Sequence, residues 1–248
     1  MEQDKKYIGA VATAIAGICL IIVAGIGASA YRSRNFQKSI TVTGSAQKVI
    51  TSDVASWSGS FSRNVGVDGL KQGNEQIKND TKAVLDYLTA HGIAQSEIDL
   101  QPVSFYPNYN SEQDKNGNTS QIFTGYTLTQ TFQVQTKNLD KIAGAVGNSG
   151  DLLDKGILFQ NSPAQYFYSK LSELKIQMIN DATKDATSRA QAIAQNAGSN
   201  VGSLRNASVG VIQITPENSS DLSGEGYYDT SSVKKQVTVV VHASYSIQ

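Results

Sequence analysis

The stretch that decides the fold runs from Ser169 to Ala197 and reads SKLSELKIQMINDATKDATSRAQAIAQNA. On a helix that turns about 100° per residue, its apolar residues form one stripe, with large side chains first and alanine afterwards. The stripe consists of Leu171, Leu174, Met178, Ala182, Ala186, Ile193 and Ala197. Asp185 is spaced to pair with Arg189 one turn later, and Gly198 ends the pattern. The stretch therefore predicts a long amphipathic helix whose alanine half lies flat against a sheet.

The segments around this helix alternate between apolar and polar residues, which is typical of strands with one buried face. Strands are predicted over residues 40–51, 54–62, 98–106, 156–160, 209–214 and 237–247, and another is predicted from Tyr126 onward. A helix is predicted from Leu70 to Leu88, and Asn138 is placed to cap a second, shorter helix. Trp57 falls on the apolar side of its strand, so we interpret it as a core residue.

One order of elements occurs twice along the chain. A helix, a glycine, a strand, a polar loop with paired tyrosines and a long alternating strand follow one another around residues 92–135 and again around residues 198–247. The predicted fold class is therefore α+β, with two pseudo-repeated halves of antiparallel sheet packed against amphipathic helices. One transmembrane helix is predicted to precede them.

The transmembrane prediction concerns residues 7–31, which contain no charged side chain. A run of roughly 25 residues is long enough to cross a bilayer as a tilted helix. Tyr7 and Tyr31 stand at its two edges, where interfacial aromatic residues occur. A cleaved signal peptide is the alternative, since residues 28–30 read Ala-Ser-Ala, but the apolar run exceeds the usual signal length. We thus predict an anchor and connector over residues 1–38 and one soluble domain over residues 39–248.

The compartment follows from composition rather than from the charges beside the predicted span. Basic residues lie on both sides of residues 7–31, and large C-terminal domains cross membranes with little regard to such small differences. Charged residues make up only 17% of the chain, and neutral polar residues take their place, as is common in envelope proteins. We expect a single-pass membrane protein with its C-terminal domain extracytoplasmic, in a bacterial periplasm or at the cell surface.

The residues that usually carry chemistry are scarce. A formal net charge of zero argues against a nucleic-acid partner, because no basic excess is available to neutralise phosphates. The two histidines are far apart in the sequence, and Cys19 lies in the apolar run, so no His/Cys cluster for zinc is expected. Neither a nucleophile elbow nor a phosphate-binding loop motif occurs. We expect no catalytic residue, cofactor or metal, and therefore no enzyme; the sequence names no small-molecule ligand.

Several short motifs, taken in order, resemble the SIMPL-domain family from residue 40 onward. They are Ile40–Gly44, His91–Ile93, Thr124–Tyr126, Asn138–Lys141 and the alanine-rich helix that runs into Ala197-Gly198 and Val201-Gly202. The resemblance implies an α+β fold and an envelope location in bacteria. Some relatives are periplasmic or outer-membrane-associated antigens that build ring-like, channel-shaped oligomers, and a eukaryotic member is linked to kinase signalling. The family offers no catalytic residues to carry over, and the long apolar segment here departs from many bacterial relatives.

These observations lead to two functional expectations. The first is a non-enzymatic, membrane-anchored scaffold or stress-related protein whose soluble domain forms a large homo-oligomer. The alternative is a monomeric envelope module that binds peptide or glycan. In either case we expect partner contacts at two polar loops, residues 107–120 and 216–232, through Tyr106, Tyr109, Tyr227 and Tyr228, because tyrosine beside small polar residues suits interfaces.

Overall fold

The structure is a computed structural model that describes residues 17–28, 39–219 and 224–248. The chain forms two compact units, and each is built from separate stretches of sequence. The smaller unit combines Met1–Ala46, Ile179–Gly210 and Val240–Gln248, whereas the larger unit combines Gln47–Met178 and Val211–Val239. Helices and antiparallel sheets occur in both, which confirms the α+β class.

The helices and strands follow one another in a single order. They are α1 (residues 17–28), β1 (Ser39–Thr51), β2 (Val54–Val65), α2 (Leu70–Ala90), a 3₁₀ turn (Gln95–Glu97), β3 (Ile98–Leu100), β4 (Ser104–Gln113), β5 (Thr119–Thr136), α3 (Leu139–Gly147), α4 (Gly150–Asp154), β6 (Leu158–Asn161), β7 (Gln165–Phe167), α5 (Leu171–Asn196), β8 (Val201–Val209), β9 (Gln213–Pro216) and β10 (Lys234–Ile247).

The larger unit contains a six-stranded sheet with the strand order β3-β5-β2-β6, to which β4 adds beside β5 and β7 beside β2. Helices α2 and α3 cover one face of this sheet. Trp57, Phe61 and Phe132 are fully buried there, which confirms the interpretation of Trp57 as a core residue. Asn138 caps α3 as predicted, since its side-chain oxygen accepts a hydrogen bond from the Lys141 backbone nitrogen.

In the smaller unit the strand order is β1-β10-β8, and the second half of α5 packs on these strands through alanine. Gly44 of β1 lies so close to α5 that a methyl group there would overlap the carbonyl oxygen of Ala182 and the backbone nitrogen of Ala186. The predicted flat contact between an alanine stripe and a strand is confirmed. Gly198 then ends the helix at φ 69°, in the left-handed region that favours glycine.

The predicted stripe of α5 is wrong at its C-terminal end. Ile193 is 53% exposed and Ala197 is exposed, while Ala190 and Ala194 are buried instead. The buried residues recur every four positions, from Leu174 to Ala194. Four residues turn a helix by about 400°, so this stripe shifts around the helix by about 40° at each step. Near residue 193 it has left the side on which the sequence pattern placed it.

Three predicted segments are corrected in the same way. Residues 98–106 form two strands, β3 and the start of β4, with Pro102 in the break. Residues 209–214 span the gap between β8 and β9, so β8 itself was missed. Residues 107–120, predicted to be a polar loop, lie mostly in β4 and β5. In β4 and β8 most side chains are exposed, so hydrophobic alternation is weak there.

The predicted span over residues 7–31 lies only partly within the described residues. Residues 17–28 form α1, and Cys19 is exposed on it. Among the helices of the described ranges, none is long and apolar enough to cross a membrane. The alternative cleavage position at residues 28–30 also lies largely outside those ranges.

Candidate interaction surface on the β4–β5 hairpin

Strands β4 and β5 form a long hairpin that extends the six-stranded sheet of the larger unit. All of β4 pairs with β5, from Ser104 opposite Thr129 to Gln113 opposite Thr119. The turn is fixed by Asp114, whose carboxylate accepts hydrogen bonds from the backbone nitrogens of Asn116 and Asn118 at 2.8 and 2.9 Å. These bonds lower the pKa of Asp114. The segment predicted as a loop is therefore an ordered hairpin with a short turn.

A β-bulge divides the hairpin near its middle. The pairing shifts between Asn108, which lies opposite Gly125, and Tyr109, which lies opposite Phe123, so β5 contains one extra residue. Gly125 has a φ of 142°, and a side chain there would overlap the Val65 carbonyl oxygen. Only glycine fits at this position, because both the backbone angle and the neighbouring strand exclude a Cβ atom.

One face of the hairpin carries a cluster of aromatic rings, which we call the aromatic face: Phe105, Tyr109, Phe123 and Tyr126. The rings of Tyr109 and Phe123 have centroids 5.7 Å apart, and those of Phe123 and Tyr126 are 5.0 Å apart. Phe105 lies 6.1 Å from Tyr126 in an edge-to-face arrangement. The exposed fractions of Phe105 and Tyr109 are 59% and 54%. The aromatic face is thus ordered by ring contacts and yet open to solvent.

The opposite face of the hairpin is mostly polar, but it carries two exposed apolar side chains, Tyr106 and Ile122. The Thr127 hydroxyl donates to the side-chain oxygen of Asn64 at 2.7 Å and accepts from the Asn108 amide nitrogen at 2.9 Å. Because alternate residues of a strand point to opposite faces, Tyr106 and Tyr109 cannot contact the same surface of a partner. The two predicted contact residues of this segment are therefore separated.

The second predicted loop is a true connection between β9 and β10, but its last part is fixed. Tyr227 and Tyr228 follow Gly226, and both are exposed. The backbone nitrogen of Tyr227 donates to the Gln213 side chain at 2.9 Å, and Tyr228 forms an isolated β-bridge with Ile214. Partial burial raises the pKa of Tyr228. No aromatic ring contact joins this tyrosine pair to Tyr106 or Tyr109 among the described residues.

Immediately after these tyrosines lies a buried ion pair that the sequence did not reveal. Lys235 and Asp229 are 1% and 2% exposed, and the ammonium nitrogen is 3.1 Å from the carboxylate. Burial alone would raise the pKa of Asp229, but hydrogen bonds from Ser232, Ser231 and Lys235 outweigh it and hold this pKa well below its usual range. The ion pair fixes the chain beside Tyr228. Neither the spacing nor the residue types distinguish it from a pair of exposed charges.

The outward face of the six-stranded sheet is polar but carries few charges. Serines of β2 lie opposite threonines and glutamines of β5, as in the pairs Ser58 with Gln133 and Ser60 with Thr131. Two grooves on this face, of ≈ 330 and ≈ 250 Å³, share Ser58 and Ser162. Their polar side chains are hydroxyls and amides, which can donate and accept hydrogen bonds toward uncharged ligands.

The arrangement offers binding chemistry of two kinds: exposed aromatic rings on the hairpin, and neutral hydrogen-bonding groups on the sheet. Within the ranges that the structure describes, no three His, Cys, Asp or Glu residues are grouped so as to hold a metal ion. His91 contacts the Tyr87 carbonyl oxygen at 3.0 Å, and His242 contacts the Thr43 hydroxyl at 3.0 Å. Each histidine thus has a local partner in its own element or on the neighbouring strand.

Comparison with known proteins identifies the family. A family model described as "SIMPL: Protein of unknown function (DUF541)" matches residues 40–245, which is most of the chain. No curated protein matches the sequence. The matched range contains every strand from β1 to β10 and the helices α2 to α5, apart from a few terminal residues of β1 and β10. The chain belongs to the SIMPL family.

Proposed function

We propose that this SIMPL protein is a non-enzymatic, membrane-anchored envelope protein whose soluble domain assembles into a large, ring- or channel-like homo-oligomer with a scaffold or stress-related role. The observation that carries the proposal is the aromatic face of the β4–β5 hairpin. Aromatic residues are enriched at protein interfaces, and Phe105 and Tyr109 leave more than half of their surface in water.

The backbone of β4 supports the same proposal. Its inner edge pairs with β5 along ten residues, whereas none of the strands that the structure describes lies on its outer edge. An exposed edge strand with apolar side chains is a site for pairing with another chain unless charges or proline protect it. Only Glu112 among the residues of β4 is charged, and Pro107 is its only proline. The edge is therefore weakly protected.

The anchor part of the proposal draws support from α1. Its large apolar side chains are more than half exposed; they are Ile18, Leu20, Ile21, Ile22, Val23 and Ile26. Contiguous apolar surface of this kind marks contact with membranes or with other proteins. We propose that residues 7–31 lie in the lipid bilayer and that the C-terminal domain is extracytoplasmic. Intact-mass measurement of the protein from its native host tests the anchor, and a chain that begins at Tyr31 would contradict it.

We also propose that the two halves are related by the internal repeat. Helices α2 and α5 end in the same motif, with Gly92 and Gly198 in the left-handed region. In each motif the backbone nitrogen of the residue after the glycine donates to the carbonyl oxygen five residues back: Ile93 to Leu88 and Ser199 to Ala194. Each glycine also leads to a strand that pairs with a long alternating strand, β3 with β5 and β8 with β10. Superposition of an experimental structure on itself would test this proposal.

A second candidate function, a monomeric envelope module that binds glycan or peptide, is favoured by the polar grooves of the six-stranded sheet. Neutral hydroxyls and amides match the hydrogen-bonding groups of an uncharged glycan, and Tyr227 and Tyr228 would add exposed rings. This candidate predicts a monomer at high concentration that binds glycan through Ser58 and Gln133.

Light scattering of the full chain in detergent separates the candidates. We expect a discrete particle of many protomers for the wild type, and protomer mass for the double variant Phe105→Ser with Tyr109→Ser. Tyr106→Ser is the matched control, because it removes a ring of similar exposure from the opposite face of the same strand. A wild type that remains monomeric contradicts self-assembly. Equal loss of assembly in both variants would show that the aromatic face is not the determinant.

A further inference from the structure

The smaller unit has an open sheet edge at β1. This strand pairs with β10 on one side, and no strand among residues 39–219 and 224–248 pairs with its other side. Thr41 and Thr43 bond across to β10 on the outward face, where their hydroxyls contact Ser244 at 3.2 Å and His242 at 3.0 Å. Val42 points the other way and is buried beneath α5. Residues 41–43 thus contact β10 through one face and α5 through the other.

One contact shows which backbone groups face the open edge. The Ser45 backbone nitrogen donates to the Asp185 carboxylate of α5 at 2.8 Å, so Ser45 directs its backbone groups away from β10. Backbone groups of a strand alternate in direction, so Thr43 and Thr41 direct theirs to the same open side. Asp185, which also binds Arg189 at 2.8 Å, closes this edge at Ser45. No described strand covers the edge at Thr41 and Thr43.

Beside this open backbone lies an apolar groove of ≈ 470 Å³ between β1 and α5. It is lined by Thr41, Val42, Thr43, Arg189, Ala192 and Ile193. Ile193 is 53% exposed although it belongs to a helix that covers a sheet. The three strands β1, β10 and β8 therefore do not extend far enough to cover this side of α5. One further strand beside β1 would cover Ile193 and receive hydrogen bonds from Thr41 and Thr43.

We propose that this groove is a strand-acceptor site that takes β4 of a second copy of the chain, a step that rests on the self-assembly proposed above. The outer edge of β4 is open, and Phe105, Pro107 and Tyr109 alternate onto one face of it. Those side chains would lie against Ala192 and Ile193, and the Arg189 guanidinium could stack on a tyrosine ring. Pro107 has no N–H, so apolar contact rather than a full hydrogen-bond ladder carries the interaction.

Such a contact joins two different surfaces, a hairpin of one copy and a groove of the next. Heterologous contacts repeat from copy to copy and produce a ring when the rotation closes. A contact between identical surfaces would stop at two copies. The proposal therefore explains how a single groove and a single hairpin on each copy suffice for a large assembly.

Complementation between variants tests the proposal, measured as protein mass by light scattering of the full chain in detergent. Ile193→Lys blocks the groove and leaves the hairpin intact, whereas Phe105→Ser with Tyr109→Ser does the reverse. Each variant alone should have protomer mass. Their equimolar mixture should have twice that mass and no more, because only one intact hairpin–groove pair can form. Thermal melting checks folding, and Ala192→Lys replaces Ile193→Lys should the latter unfold.

The outcomes separate the two proposals. If Ile193→Lys and Ala192→Lys still form the wild-type particle while the hairpin variant does not, the strand-acceptor proposal is wrong. Self-assembly through the aromatic face is then still supported. A mixture that stays at protomer mass overturns the pairing of hairpin with groove and favours another occupant, such as β8 of a second copy or a peptide of another protein. If neither class of variant alters the particle, both proposals are wrong.

Discussion

Helices α2 and α5 perform the same task by opposite means. Helix α2 packs on its sheet in the larger unit through large residues, among them Ile77, Val84 and Leu88, all fully buried. In the smaller unit, α5 packs through Ala182, Ala186, Ala190 and Ala194, which are equally buried. Large side chains hold a helix at the usual distance from a sheet, whereas alanines bring the backbones close together. A helix can therefore be equally buried and yet respond oppositely to a change in side-chain volume.

Both helices are also tied to a neighbouring strand by one carboxylate. Asp80 of α2 binds the Arg63 guanidinium of β2 through two hydrogen bonds, of 2.6 and 2.8 Å, which raise the pKa of Arg63. Asp185 of α5 accepts instead from the Ser45 backbone nitrogen. The predictions below use these parallels, in order of decreasing expected effect.

Shortening a buried side chain of α2 should lower the stability of the protein more than the other changes described below. Leu88→Ala removes a fully buried side chain, and the cavity should lower the free energy of unfolding by about 2–5 kcal/mol. Chemical denaturation measures the change. Lys82→Ala on the exposed side of the same helix is the control and should stay within about 0.5 kcal/mol of wild type. A small effect of Leu88→Ala would mean that α2 repacks freely and the comparison fails.

Adding a methyl group at Gly44 should weaken the contact between β1 and α5. Gly44→Ala forces a methyl group into the backbone of Ala182 and Ala186, so strand and helix must separate. We expect a loss of about 3 kcal/mol in the free energy of unfolding, at the upper end of overpacking effects. Gly66→Ala is the control, because nothing lies within 4 Å of its Cβ position. Equal denaturant midpoints for the two variants would refute the close approach.

The alanine stripe itself should tolerate no larger side chain. Ala186→Leu and Ala190→Leu should each destabilise the protein by about 1–3 kcal/mol. Lys184→Leu introduces the same side chain on the exposed side of the helix and should have little effect. Denaturant midpoints of the three variants decide the matter: if they coincide, the packed side of α5 has been misidentified.

The smallest effect concerns Asp185. Its hydrogen bond from Ser45, together with Arg189, outweighs slight desolvation and lowers its pKa. A carboxylate with a lowered pKa stabilises the fold above its ordinary pKa of about 3.9, and this stabilisation is lost as the pH falls through the lower folded-state value. Asp185→Asn should thus cost stability at pH 7, and the difference from wild type should shrink below about pH 4. A constant difference across that range would count against the carboxylate.

The sequence predicted the elements that bury one face completely. The alternation of β10 and the apolar stripe of α5 from Leu174 to Ala186 are strong because one side of each meets a core. Strands β4 and β8 were misplaced because most of their side chains are exposed and the pattern disappears. Exposure also explains why residues 107–120 were predicted to be a loop, since a hairpin with two solvated faces has the composition of a loop.

The candidate surface could be predicted only by residue type. Tyr109 was recognised, but Phe105, Phe123 and Tyr126 join it only through the pairing register and the bulge at Gly125, which depend on tertiary contacts. The groove beside Ile193 could not be predicted either, because the sequence pattern placed that residue in the core. Ile193 is an apolar residue of α5 that no described strand covers, and it lies beside the unpaired edge of β1.

The strand order of the smaller unit also limits how early this unit can fold during synthesis on the ribosome. Strand β10 lies between β1 and β8, yet it is synthesised after both of them. Until Val240–Gln248 emerge, β1 and β8 have no central partner, although the larger unit already holds most of its chain. Domains generally fold from the N-terminus during synthesis, but β1 cannot pair in its sheet until β10 has been made. A stop codon in place of Val240 would remove the part of β10 that belongs to the smaller unit, and the edges of β1 and β8 would be left open there for chaperones or proteases to capture.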